Sequence, residues 1–302
     1  MKRLRIALAA EESAGARALR LVEDTDHELV CVLTSGGESG AASALAKAAR
    51  ERGHRVEPAS RVRSAELGVE LRDRQVDLLV NVHSLFVADE AVVRAPRIGS
   101  FNLHPGSLPE YAGLNTPCWA VYKRESHYGP TLHWMEPGID TGSIAYSDRF
   151  PLTDDDTGLS VSTRCIRDGL PLVARLLEDA ACGVIPRHPQ DLSRRVFYRR
   201  ADVPHRGRVS WSFPAREIDA LVRASDFHPF PSPWGHPRAV LDGARIGLVK
   251  VGLTAETSDA PAGTVRVGPG GVTVATQDEW LAVKAVQLGG SYVDPSDVLA
   301  GG

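Results

Sequence analysis

Three side chains, Asn102, His104 and Asp140, have types and spacing suited to moving a proton and stabilising a developing negative charge. All three lie in residues 100–142, which read SFNLHPGSLPEYAGLNTPCWAVYKRESHYGPTLHWMEPGIDTG. In NLHPGSLP, alternation with a period of two puts Asn102 and His104 on one face of a strand that stops at Pro105. The amide is an uncharged hydrogen-bond donor, and the imidazole titrates near neutrality. Asp140 sits in the glycine-flanked EPGIDTG after the next expected strand, where a carboxylate can approach the same edge. Each residue also has a plain structural reading, His104 as a strand-end histidine and Asp140 as a turn former.

The elements that must position these residues are those of an α/β chain. Short apolar runs at residues 4–10, 28–35, 55–59 and 78–83 are each followed by a stretch rich in Ala, Leu, Arg and Glu at helical spacing. That alternation predicts a Rossmann-like, mostly parallel sheet with helices on both faces. It continues through strands at 100–104, 131–135 and 144–150 and helices at 116–123 and 159–180. Ligands of such sheets bind at the carboxyl ends of the strands, where Asn102 and His104 fall. Residues 186–208 shift to Arg, Pro and polar side chains, as a surface linker would. Residues 209–302 then give one helical pattern and several short strands broken by Gly, Pro and Asp, which predicts a small C-terminal β-barrel. The expected organisation is a first domain over 1–185, a linker over 186–208 and the barrel over 209–302.

Several function classes are disfavoured. A formal charge of −3 over 302 residues offers no global field for a nucleic-acid backbone. The turn after the first strand, AAEESAGA, lacks GxGxxG, and TSGGESG at 34–40 reads as a turn. The histidines show no HxxxH or HExxH spacing, so no metal is expected. Four scattered cysteines fit a reducing cytoplasm, and no apolar run approaches the roughly 20 residues that span a bilayer. His83 reads as a satisfied structural histidine, RRVFYRR as a solvated surface, and Asp154, Asp155 and Asp156 as a capping run for the long helix.

The string NLHPGSLP, YAG and HWMEPGIDTG resembles the catalytic domain of the folate-dependent formyltransferase family, over about residues 1–185. VSWSFPAREIDALVRASDFHPFPSPWG, at 209–235, resembles the start of that family's C-terminal barrel. The resemblance implies 10-formyltetrahydrofolate as co-substrate. Formyl transfer needs an amine to attack the formyl carbon, an oxyanion to be stabilised and a proton to leave the nitrogen. Asn102 would supply the oxyanion donor, worth about 3 to 4 kcal/mol where comparable donors were removed elsewhere. His104 would be the acid/base, and Asp140 would orient and support it. Whether His104 or a water near Asp140 takes the first proton stays open. The folate would lie between Leu85, Phe86 and Val87 on one side and Met135, Gly138 and Ile139 on the other. Tyr111, Gly113, Leu114 and Asn115 would face the acceptor amine.

Family members that act on methionyl-tRNA usually carry a basic, Pro- and Gly-rich insertion in the first domain and arginine after the catalytic loop. This chain reads TSGGESGAASALAKAARERG and EYAG at those places, so Glu110 and Tyr111 stand where cations would hold tRNA. HWM resembles the sugar N-formyltransferases and the formylation domains of nonribosomal peptide synthetases. The expected acceptor is therefore a small-molecule amine, a sugar nucleotide or a carrier-bound aminoacyl group, with neither nucleic acid nor membrane as partner. The alternatives are methionyl-tRNA formyltransferase and 10-formyltetrahydrofolate hydrolase.

Overall fold

Successive residues of the first strand, β1 (Arg5–Ala10), turn to opposite sides of a sheet, and both sides are apolar. Ile6, Leu8 and Ala10 join a core with Ala14, Ala18 and Leu19 of α1 (Glu12–Glu23) and Leu45 and Ala49 of α2 (Ala44–Glu51). Val173, Leu176 and Leu177 of the helix Gly158–Cys182 complete that core. Ala7 and Ala9 join a second core with Leu67 and Leu71 of α3 (Ala65–Asp73) and Val92 of α4 (Glu90–Val93). Burial on both faces is what permits a parallel sheet. The computed structural model describes residues 2–35, 43–84 and 86–299; Leu85 and most of the 34–40 glycine cluster lie outside them.

With β2 (Glu28–Thr34), β3 (Val56–Pro58), β4 (Leu78–Val82) and β5 (Gly99–His104), the strand order is β3-β2-β1-β4-β5, followed by Thr131–Trp134 and Ile144–Ser147. The first five strands are parallel, Thr131–Trp134 runs antiparallel to them, and Ile144–Ser147, antiparallel to Thr131–Trp134, runs again in the direction of the five. This is the Rossmann-like sheet the alternation predicts. Its strand order reverses between β1 and β4, where Glu11 fills the turn after β1 with a carboxylate. That carboxylate accepts from Ser35 N–H and Ser35 Oγ, each at 2.7 Å, and from Thr34 Oγ1 at 3.1 Å. A buried negative charge there opposes a dinucleotide pyrophosphate, in keeping with the missing glycine fingerprint.

Two compact units form, one from Met1–Gly113, Gly129–Phe150 and Arg164–Phe197, the other from Leu114–Tyr128, Pro151–Thr163 and Tyr198–Gly302. This division differs from a cut along 186–208. Aromatic packing explains part of the difference: in the second unit Trp119 stacks on Tyr198 at 4.7 Å and meets Trp234 edge-on at 5.2 Å. Tyr198, from RRVFYRR, is accordingly buried. Of the three aspartates at 154–156, Asp156 accepts from Thr153 N–H at 2.9 Å and Ser160 Oγ at 2.8 Å, while the first-turn Ser160 N–H is capped by Thr157 Oγ1 at 3.1 Å. The second unit carries a six-stranded antiparallel sheet, the small barrel of the sequence reading. Register shifts along its longest strand, Ala244–Thr257, bend it over Ile218 and Val222 of the helix Ala215–Ala224.

Phe101 is fully buried in β5, its ring 4.3 Å from that of Trp134. Phe101→Ala should cost the first unit about 3 to 5 kcal/mol, read as an earlier urea transition. A change below about 1 kcal/mol would show that the contact does not brace the strand.

Candidate active site

Lateral register brings the chemistry together. Asn81 of β4 stands beside Asn102 of β5, and Asn102 stands beside His133 of the strand Thr131–Trp134. Phe101 and Leu103 face the first core, so Asn102 and His104 project to the opposite side, which α3 and α4 cover elsewhere. The result is a polar row at the carboxyl edge. Asn81 Nδ2 donates to Asn102 Oδ1 at 2.7 Å. Asn102 Nδ2 in turn meets His133 Nε2 at 3.1 Å and donates to Asp140 Oδ1 at 3.3 Å. The 3.3 Å bond is the weaker, and it is the N–H best placed to be given up to a substrate oxygen.

Asp140 reaches this row from a loop that Gly142 allows to fold back, since a Cβ at Gly142 would stand 1.9 Å from the Trp134 carbonyl oxygen. Its carboxylate is buried and accepts from Gly113 N–H at 2.8 Å, with His104 Nδ1 at 3.7 Å and His133 Nε2 at 3.4 Å. Burial opposes ionisation of Asp140, but the facing imidazoles of His104 and His133 and the Gly113 N–H outweigh it and hold the carboxyl well below its usual range.

His104 is buried, and its Nε2 lies 2.6 Å from the Tyr111 carbonyl oxygen. A carbonyl only accepts, so Nε2 carries the proton and Nδ1 is the free base, turned toward Asp140. Burial pushes the His104 pKa below 6.5, against the pull of the Asp140 carboxylate. The site is therefore a neutral imidazole beside an ionised carboxylate. It can accept a proton at Nδ1, and Asp140 stabilises the cation formed.

The structure brings Asn102, His104, Asp140, Tyr111 and Gly113 together in the first unit. Tyr111 contributes its backbone carbonyl and Gly113 its amide. Leu114 and Asn115 belong to the second unit, where Asn115 is a left-handed residue before the helix Thr116–Tyr122. Val87 and Ile139 expose apolar side chains, 66% and 45% accessible, and Gly138 is exposed. Met135 is half-buried, with its N–H donated to Ser100 O at 2.7 Å, and Phe86 packs on the second core. His83 is partly buried just past β4, and its burial pushes its pKa below 6.5. One expectation changes, that of Glu110. Glu110 pairs with Arg194, which neutralises the charge set against tRNA.

Sequence reasoning missed His133 and Asn81. His133 shows only as an alternating residue in TLHW, and its neighbour Asn102 is 31 positions away. Asn81 stands in an apolar run, NV, where a lone amide is a weak signal. Among the described residues no group of three or more His, Cys, Asp or Glu could hold a metal, and no helix is long and apolar enough to cross a membrane.

With this geometry established, comparison with known proteins is direct. Residues 8–172 match the formyl transferase family and residues 203–302 match the formyl transferase C-terminal domain, and the chain belongs to this family of enzymes. It is 30% identical to a methionyl-tRNA formyltransferase of Pseudomonas fluorescens, over 98% of this chain and 93% of that protein. It is 32% identical to a methionyl-tRNA formyltransferase of Acidothermus cellulolyticus, over 86% of this chain and 80% of the relative. In fold it is similar to an N-formyltransferase from Helicobacter canadensis in complex with folinic acid and dTDP-3-aminofucose. The TM-score is 0.70 at 18% identity, over 93% of this chain and 98% of that one. HypX from Aquifex aeolicus in complex with tetrahydrofolic acid gives a TM-score of 0.64 at 18% identity, over 99% of this chain and 47% of that one.

A lowered pKa means that His104 takes its second proton only below the ordinary 6.5. 15N-imidazole NMR should find it neutral and protonated at Nε2 at pH 6.5. A cationic His104 at or above that pH would contradict the assignment.

Proposed function

We propose that this chain transfers the formyl group of 10-formyltetrahydrofolate to the primary amine of a small acceptor, either sugar-borne or a carrier-tethered aminoacyl group. The observation that carries the reaction is the convergence of an amide N–H, a neutral imidazole with Nδ1 free and an ionised carboxylate on one strand edge. The donor fits what surrounds that edge. Ser84 Oγ, just past β4, is buried without a partner among the described residues, and Val87 and Ile139 offer apolar surface to a flat ring system. When bound, 10-formyltetrahydrofolate supplies an activated formyl carbon.

In this reading Asn102 turns its Nδ2 N–H from Asp140 to the developing oxyanion, and its Oδ1 stays fixed by Asn81. His104 Nδ1 takes the proton that leaves the acceptor nitrogen as the new N–C bond forms. It then returns that proton to the departing nitrogen of the donor. Asp140 stays ionised throughout and stabilises the imidazolium at 3.7 Å. Met135, Gly138 and Ile139 line the donor side, and Tyr111 and Gly113 the acceptor side.

For the acceptor, the lack of a basic, Pro- and Gly-rich insertion in TSGGESGAASALAKAARERG and the HWM string favour a small amine over tRNA. The methionyl-tRNA formyltransferases at 30% and 32% identity favour the second reading, and Glu110, paired with Arg194, no longer speaks against it. Incubation with 10-formyltetrahydrofolate and a panel of amino sugars, sugar nucleotides, aminoacyl carriers and methionyl-tRNA should give formyl mass gain on a small or carrier-bound amine. Product with methionyl-tRNA alone would establish the second reading. Donor turnover without any amine would indicate a hydrolase. Asn102→Ala, His104→Ala and Asp140→Ala should each lower turnover by about a hundredfold or more with the fold intact, and near-normal turnover in any one removes its role.

A further inference from the structure

Residues 186–208 have the composition of a surface linker, yet residues 186–196 touch both loops of the site. Trp134 Nε1 donates to Pro186 O at 2.9 Å, and the guanidinium of Arg187 lies 4.5 Å from the Trp134 ring centroid. His188 then pairs with Ile144 through two backbone bonds, 2.8 and 2.9 Å, adding a rung to the sheet edge. From there Gln190 Nε2 donates to Asp140 O at 3.0 Å and to Gly142 O at 2.6 Å. Arg195 Nη2 donates to Ile139 O at 2.8 Å. On the other side, Arg194 pairs with Glu110 and Ala112 N–H donates to Val196 O at 3.0 Å. One stretch thus holds the loop that carries Asp140 and the loop that carries Tyr111 and Gly113.

We infer that residues 186–196 form a clasp in which Gln190 is a positioning residue, setting the Asp140 carboxylate against His104 and Asn102. The inference rests on the catalytic reading of Asp140 given above. Only an amide nitrogen can face two carbonyl oxygens, so the orientation of the Gln190 head group is fixed. Its Oε1 is left buried without a partner among the described residues, a cost the clasp carries to keep both donor bonds. Those bonds secure a strained segment: Asp140 has φ 54, a left-handed conformation that a non-glycine residue keeps only where its surroundings impose it. Loss of the Gln190 N–H groups lets this loop relax. The carboxylate then leaves the Gly113 N–H and its place 3.7 Å from His104 Nδ1.

The test compares Gln190→Met, which keeps length without a donor, and Gln190→Glu, which turns an acceptor toward two carbonyls, with Asp140→Ala and with the double variant Gln190→Met/Asp140→Ala. Formyl turnover, donor affinity, thermal midpoint and the His104 imidazole 15N signals are read for each. Both Gln190 variants should lower kcat about tenfold to a hundredfold, as a misplacement of about an ångström does. Donor affinity should change by less than about threefold, with the His104 signals shifted and the thermal midpoint near that of the parent. In the Asp140→Ala background, Gln190→Met should cause no further loss, because Gln190 acts through Asp140. Parental kcat in both Gln190 variants beside an inactive Asp140→Ala overturns the clasp. So does an equal loss in both backgrounds, or a loss that only tracks the thermal midpoint. A fully active Asp140→Ala overturns instead the catalytic reading on which the clasp rests.

Discussion

An ionised carboxylate buried as deeply as Asp140 is tolerable only inside a shell of donors, and most of the site's architecture meets that requirement. Gly113 gives a backbone N–H and Asn102 a side-chain N–H, while the imidazoles of His104 and His133 face it. Each donor comes from a different stretch of chain. The loops at 107–113 and 136–142 and the strand edge at 102–104 must therefore arrive together, or the charge is stranded. The same convergence orients His104, because the Tyr111 carbonyl that accepts its Nε2–H belongs to the loop that delivers Gly113, while burial keeps the imidazole neutral.

The sheet's change of direction makes this possible. Five parallel strands direct their carboxyl ends to one edge, where Asn81 and Asn102 stand side by side. Were the next strand also parallel, its connection would have to cross over the sheet. Because Thr131–Trp134 runs antiparallel, His133 comes into register beside Asn102, and the chain leaves this strand through the loop that carries Asp140. A mixed sheet thus places groups from parallel strands, an antiparallel strand and a loop within a few ångströms of one another.

Much of this is legible in the sequence, and the parts that are not share a cause. The α/β alternation and the placing of Asn102 with His104 follow from local periodicity, which the chain states directly. The strands at 131–135 and 144–150 and the long helix lie within a few residues of where the pattern puts them. His133, Asn81 and Gln190 are different, for their importance depends on long-range register. Asn81 is 21 residues from Asn102 and Gln190 is 50 from Asp140. That Leu114–Tyr128 groups with the C-terminal unit was hidden for the same reason, since Trp119 packs on Tyr198 and Trp234 through ring contacts that spacing does not announce. Glu110 shows the opposite error: read alone it is a repelling charge, and beside Arg194 it is half of an ion pair.

Glu11 bears on how this scaffold can be reused. Its carboxylate takes the Ser35 amide and two hydroxyls at the point where the sheet's order reverses, the crevice in which related architectures seat a dinucleotide. The turn is closed by charge and by occupied donors, beyond the mere lack of glycines. An engineer grafting nicotinamide chemistry onto this backbone would have to remove that side chain before glycines inserted around it could help. Ancestral or laboratory exchange between the two ligand classes would thus pass through a step that unlocks the end of the second strand.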